Sequence, residues 1–171
     1  WAFASLRIQN DALLDATALR LQDPEFLAQL DLQAIANTAW AYAKFGRQEP
    51  ALMEAMARRL TSKGFLYRAR PQNVATVLWA YTTLQVPDPE LLQALVAKLK
   101  STNGVDTFNA QDLTMVVGAL AKLGIQDEAL MAAIGRRVLS SAVLPYLKPR
   151  ELANIAWAFA TIGMGHEEVM T

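Results

Sequence analysis

At 171 residues, 53% of them hydrophobic and 19% charged, the chain is large enough for one domain with a sizeable buried core and too apolar for a disordered one. Its 16 basic residues balance 16 acidic ones, which excludes a strongly basic nucleic-acid domain and leaves any RNA contact to local charge arrangement. Cysteine is absent, excluding disulfides and thiolate metal sites, and no apolar run approaches the roughly 20 residues of a membrane-spanning helix.

In chain order the pattern is helical from the first residue. WAFASL (Trp1–Leu6) reads as the end of a helix already under way, and a second helix follows from Asp11 through Arg20. Asp31 is an N-cap for a helix over roughly Asp31–Phe45, with apolar residues at Leu32, Ile35, Ala36, Ala39, Tyr42 and Phe45. Gly46 falls where a left-handed residue closes it. A further helix ends near Leu60, and Ser62–Pro71 is loop-like. Pro71 suits a first helical position, where the missing N–H has no partner to lose. Asp88-Pro89-Glu90 then supplies a cap, a proline and a first-turn acid for a helix ending near Leu99. Ser101–Asn109 is the next loop, with Asn109 as a cap and Gly124 as a stop. Asp127-Glu128 opens a helix ending near Val138, and Pro149 and Gly163 bracket the last one.

These elements repeat. Trp1, Trp40, Trp79 and Trp157 lie at intervals of 39, 39 and 78, and the vacant place falls on Gly118. The next residue is alanine in all five lines (Ala2, Ala41, Ala80, Ala119, Ala158), and one further on stand Phe3, Tyr42, Tyr81, Leu120 and Phe159. One helix pair cannot bury its apolar face alone, so repeated pairs stack. The expectation is an all-α, right-handed α-solenoid of antiparallel helix pairs with a 39-residue repeat. It is a single array over residues 1–171, truncated at both ends, with any targeting segment outside it.

The phrases around Asn37-Thr38-Ala39-Trp40-Ala41-Tyr42, Thr76-Val77-Leu78-Trp79-Ala80-Tyr81 and Asn154-Ile155-Ala156-Trp157-Ala158-Phe159 carry a resemblance. They resemble octotricopeptide and heptatricopeptide repeats and the helical region before RAP domains in FAST-kinase-like proteins. Gly118 and Met115 depart from the pattern, and no RAP domain is visible. The resemblance implies an organellar RNA-binding protein, mitochondrial rather than chloroplast, acting in RNA stability, processing or translation, or held in a divergent mitochondrial ribosome. Its implied partners are RNA (a single-stranded transcript or rRNA) and ribosomal or other proteins of a large assembly.

Helical repeats that read RNA present two or three side chains per base. The polar columns of the first helices supply the base-facing candidates: Gln33, Gln72, Gln111 and Arg150; Asn73, Asp112 and Glu151; and Asn37, Thr76 and Asn154. Lys44 and Lys122 are phosphate candidates on the same helices. Arg20, Arg59, Lys98 and Arg137 form a second phosphate column on the second helices, although bases at helix ends are also what the helix dipole favours. The tryptophan column, phased with apolar neighbours, is expected in the core rather than under a stacked base. His166, the only histidine, sits beside Glu167 and Glu168 and reads as a solvated helix start. With no second histidine, no glycine-rich phosphate loop and no nucleophile motif, neither enzyme activity nor a cofactor or metal is expected. The competing reading is a protein–protein scaffold, which zero net charge favours.

Overall fold

A computed structural model describes residues 2–86, 88–101 and 104–163. Trp1 and the segment holding His166, Glu167 and Glu168 therefore lie outside the described residues. The described residues form ten α-helices and no strand: α1 (Ala2–Ser5), α2 (Asp11–Leu21), α3 (Pro24–Ala28), α4 (Leu32–Phe45), α5 (Pro50–Thr61), α6 (Pro71–Leu84), α7 (Pro89–Lys100), α8 (Ala110–Leu123), α9 (Glu128–Leu139) and α10 (Pro149–Ile162). Short 3-10 turns occupy Leu66–Arg68, inside the loop-like stretch Ser62–Pro71, and Leu144–Tyr146. None of the described helices is long and apolar enough to cross a membrane.

The helix ends follow the local chemistry. The side chains of Asn10, Asp31, Asp88, Asn109 and Asp127 each accept a hydrogen bond from the backbone N–H three residues on. At the other end Gly46, Gly124 and Gly163 are left-handed, with φ of 63°, 65° and 73°. Gln85 holds the same place after α6 with φ 54°, a conformation that costs a side-chain-bearing residue about 1 kcal/mol. Gln85→Gly is therefore expected to raise the melting temperature by about 2–4 °C, partly offset by glycine's looser unfolded state. A thermal scan by circular dichroism checks it.

The chain divides into two compact units, Trp1–Lys98 and Leu99–Thr171. In the first, α4 lies between α1 and α6, while α2 packs on α3 and α5. In the second, α8 packs on α10 and α9. Small residues allow these approaches: Ala36, Ala39, Ala41 and Ala43 of α4 and Ala75 and Ala80 of α6 are all buried. Around them Ile35, Tyr42, Leu52, Met53, Met56, Leu60, Val77 and Leu78 complete the first core. Leu113, Val116, Val117, Leu120, Ile134, Ile155 and Phe159 fill the second.

Polar side chains lock neighbouring pairs through backbone carbonyls. Tyr42 Oη donates to the Leu14 carbonyl at 2.6 Å and Tyr81 Oη to that of Met53 at 2.7 Å. Donor and acceptor both advance by 39 positions between these two bonds. Gln48 Nε2 donates to the Leu84 carbonyl and Gln126 Nε2 to that of Ile162, each spanning 36 residues. Both reach the end of a helix, where carbonyls lack intrahelical partners. Arg47, in the turn after α4, pairs with Asp11 and Asp15 of α2 and with Glu49.

Candidate nucleic-acid interface

On α4, Gln33, Asn37, Trp40 and Lys44 are spaced by four, three and four residues, which puts them within one narrow stripe of the helix. Gln72, Thr76, Trp79 and Thr83 occupy the same stripe on α6, packed beside α4 in the first unit. Gln33, Gln72 and Lys44 are exposed, and Asn37, Thr76 and Thr83 are half-buried. In the second unit the stripe comprises Gln111, Met115, Gly118 and Lys122 of α8 and Arg150, Asn154, Trp157 and Thr161 of α10. There Gln111, Lys122, Arg150 and Asn154 are exposed. The stripe holds no acidic residue in either unit.

The column expected one residue inward of these glutamines lies elsewhere. Asn73 and Asp112 are buried, at 8% and 4% exposure. A residue about 100° further round the helix turns toward the core when its neighbour faces solvent. Asp112 closes a capping box, accepting from the Asn109 N–H while the Asn109 side chain accepts from its own N–H. Burial pushes the Asp112 carboxyl up, opposed by the bond from Asn109. Glu151 occupies the matching position on α10, its Oε2 accepting from the Lys148 N–H at 2.9 Å. Asp112 and Glu151 hold helix starts in place and Asn73 is buried, so the three do not face outward together.

The tryptophans also differ from expectation. Ala41, Ala80, Ala119 and Ala158 and the next column, Tyr42, Tyr81, Leu120 and Phe159, are buried. By contrast Trp40 and Trp79 are only half-buried. The core is therefore alanine plus the following large residue, and the indole rings sit at the edge, in the middle of the polar stripe. Lys44 Nζ lies 5.7 Å from the centre of the Trp40 ring. At Gly118 an added Cβ would meet no atom within 4 Å, so the stripe is open where the tryptophan is missing.

The second-helix cations are spent internally. Arg59 Nη2 donates to the Ala28 carbonyl at 3.0 Å, Lys98 Nζ to that of Tyr67 at 2.9 Å, and Arg137 Nε to that of Phe108 at 2.9 Å. Arg59 also covers the Phe65 ring at 4.1 Å, and Lys98 the Tyr67 ring at 5.8 Å. Arg20 pairs with Asp23 at 2.9 Å and covers Phe26 at 4.2 Å. Arg59, Lys98 and Arg137 thus tie α5, α7 and α9 to the chain just before α4, α6 and α8.

Other cations are better placed for a polyanion. Residues 55–87 contain no Asp or Glu but five Arg and Lys residues. Arg58 pairs with Glu54, and Arg59 is engaged as above. Lys63, Arg68 and Arg70 are exposed in the connection leading into α6, and among the described residues none has an acidic partner. Tyr67, 82% exposed, stands among them. A running charge count along the sequence reveals this segment, whereas a search by repeat column passes over it because the cations fall in a loop. Among the described residues no group of three or more His, Asp or Glu side chains is placed to hold a metal ion.

Among the described residues, an all-α fold with a buried core and side-by-side first helices in each unit defines a helical scaffold. The model of a particular family, RESC6 (RNA-editing substrate-binding complex 6 protein), matches residues 1–171. The chain belongs to that family. Among curated proteins, none matches it.

Proposed function

We propose that the protein is a non-catalytic RNA-binding component of an RNA-editing substrate-binding complex, built as a right-handed α-solenoid with a 39-residue repeat. The family match across residues 1–171 carries this reading, because the family's description names a complex that binds an RNA-editing substrate. The carbonyl bonds of Tyr42 and Tyr81, displaced by one repeat from each other, support the solenoid. RNA would lie on the first-helix stripe, with Lys44, Lys63, Arg68 and Arg70 toward its phosphates. Other proteins of the complex would occupy other faces. The proposed location is organellar, mitochondrial rather than chloroplast, in keeping with the organellar repeat families that the tryptophan phrase resembles.

Fluorescence polarisation with pooled single-stranded RNA at several salt concentrations tests the reading. Four phosphate contacts predict a slope of log affinity on log salt of about −2.8. Replacing Lys63, Arg68 and Arg70 with Gln is expected to reduce the slope to about −0.7. Absence of binding at low salt would overturn RNA binding and favour the scaffold reading, in which the stripe grips protein.

A further inference from the structure

We propose that the N-terminus of α6 is a binding site for a phosphate group of RNA, formed by the Asn73 side-chain amide, the backbone N–H groups of Arg70 and Gln72, and the guanidinium groups of Arg68 and Arg70. This deepens the RNA-binding reading above and rests on it for the source of the phosphate. The helices α4, α8 and α10 close their own starts. The Asp31 side chain accepts from the Ala34 N–H, Asn109 and Asp112 bond reciprocally, and Glu151 accepts from the Lys148 N–H. The start of α6 is different. Arg70 stands at its N-cap without a side-chain capping bond, Pro71 follows, and the first turn holds no acid. The first N–H groups of a helix lack intrahelical acceptors, and proline carries no N–H. Those of Arg70 and Gln72 therefore remain, and neither meets a backbone carbonyl among the described residues.

Asn73 points to the ligand independently. It occupies the third position of α6, where Asp112 stands on α8 and Glu151 on α10, and both of those side chains reach back to the N-cap N–H. Cα–Cβ bonds tilt toward a helix N-terminus, so the Asn73 side chain is directed the same way. It is only 8% exposed, yet its amide bonds to none of the described residues. Among the described side chains only Arg59 Nε is both fully buried and unbonded, so the Asn73 amide keeps an opening to the outside. An amide buried to this degree is normally satisfied, and Nδ2 is a donor at the end of a helix where the dipole favours an anion. The charges agree. Arg68 and Arg70 are exposed, have no acidic partner among the described residues, and are repelled by the positive end of α6 unless an anion lies between. Residues 55–87 contain no Asp or Glu that could serve instead.

The test uses Asn73→Asp, which gives α6 the residue type that Asp112 supplies on α8. A carboxylate there accepts from the Arg70 N–H and repels a phosphate. The variant is expected to raise the melting temperature by about 2–4 °C and to weaken labelled oligouridylate at least about 10-fold. Asn73→Ala, which removes the amide without adding a charge, is expected to weaken it about 3- to 10-fold. A merely structural Asn73 would change stability and leave RNA affinity alone, a result that overturns the site while RNA binding stands. Oligouridylate with and without a terminal phosphate distinguishes the sources. Tighter binding with the terminal phosphate, lost in Asn73→Asp, assigns the site to an RNA end. Equal binding, weakened for both by the variant, assigns it to the backbone. Nuclear magnetic resonance with inorganic phosphate reads the site without RNA: a shift of the Gln72 N–H that is absent in Asn73→Asp supports it. No shift overturns it, whether or not RNA binds. A shift with phosphate but no binding of either oligouridylate would overturn RNA as the source.

Discussion

Tyr42→Ala is expected to lower the unfolding free energy by about 3–5 kcal/mol, the largest single-site loss in the first unit. The side chain is 1% exposed between α4 and α2, and its hydroxyl reaches the Leu14 carbonyl. The substitution therefore removes a ring from a packed core and a hydrogen bond between helices. Tyr42→Phe separates the two and is expected to cost about 1 kcal/mol. Phenylalanine and leucine at the matching positions, Phe159 and Leu120, are themselves buried without that hydroxyl, so most of the effect belongs to the ring. Urea titration of the three proteins checks the ranking.

The same residue makes a pH prediction. Burial, with the nearby Glu49 carboxylate, pushes the Tyr42 phenol up from 10.0 to about 12. Burial raises the Tyr81 phenol as well. The folded state thus holds on to a proton that the unfolded chain releases first as pH rises past 10. Stability contributed by the neutral phenol is fully present below pH 10 and is lost as pH climbs toward about 12. Tyr42→Phe should flatten part of that fall.

The second large effect separates structure from function in the second-helix cations. Arg59→Gln, Lys98→Gln and Arg137→Gln are each expected to cost about 1–3 kcal/mol, because a charge-assisted bond to a backbone carbonyl is lost. Arg59 belongs at the low end, since its buried Nε finds no partner among the described residues. Arg20→Gln removes only a solvent-exposed pair with Asp23 and a ring contact, and should cost less than about 1 kcal/mol. None of the four should alter the salt slope of RNA binding. A changed slope with unchanged stability would restore this column as a phosphate track. Paired denaturation and polarisation measurements on the same variants distinguish the outcomes.

Much of the architecture is legible in the sequence because it depends on local chemistry. Caps at Asp31, Asn109 and Asp127, prolines at Pro71 and Pro149, and left-handed glycines at Gly46, Gly124 and Gly163 bound helices whatever surrounds them. Gln85 shows the limit: the left-handed position after α6 carries a side chain that disfavours it, where glycine marks the ends of α4, α8 and α10. The stripe was legible at Gln33, Gln72, Gln111 and Arg150, where polar residues recur at helical spacing.

Composition and periodicity thus determined that the described residues are helical, where the repeating helices start and stop, and which columns repeat, but not the short α3. Only the tertiary structure decided which side of each helix faces inward. An indole, an amide and a carboxyl are each compatible with either side until a neighbouring helix arrives. Ala41 and Ala80 let that neighbour come close, Tyr42 and Tyr81 fill the gap, and Trp40 and Trp79 are left at the edge. For the same reason Asn73 and Asp112 turn inward, and Arg59, Lys98 and Arg137 bond to backbone carbonyls that lie 31, 31 and 29 residues back in the chain. Such partners are distant in sequence and adjacent in space, and helical spacing alone cannot choose among them.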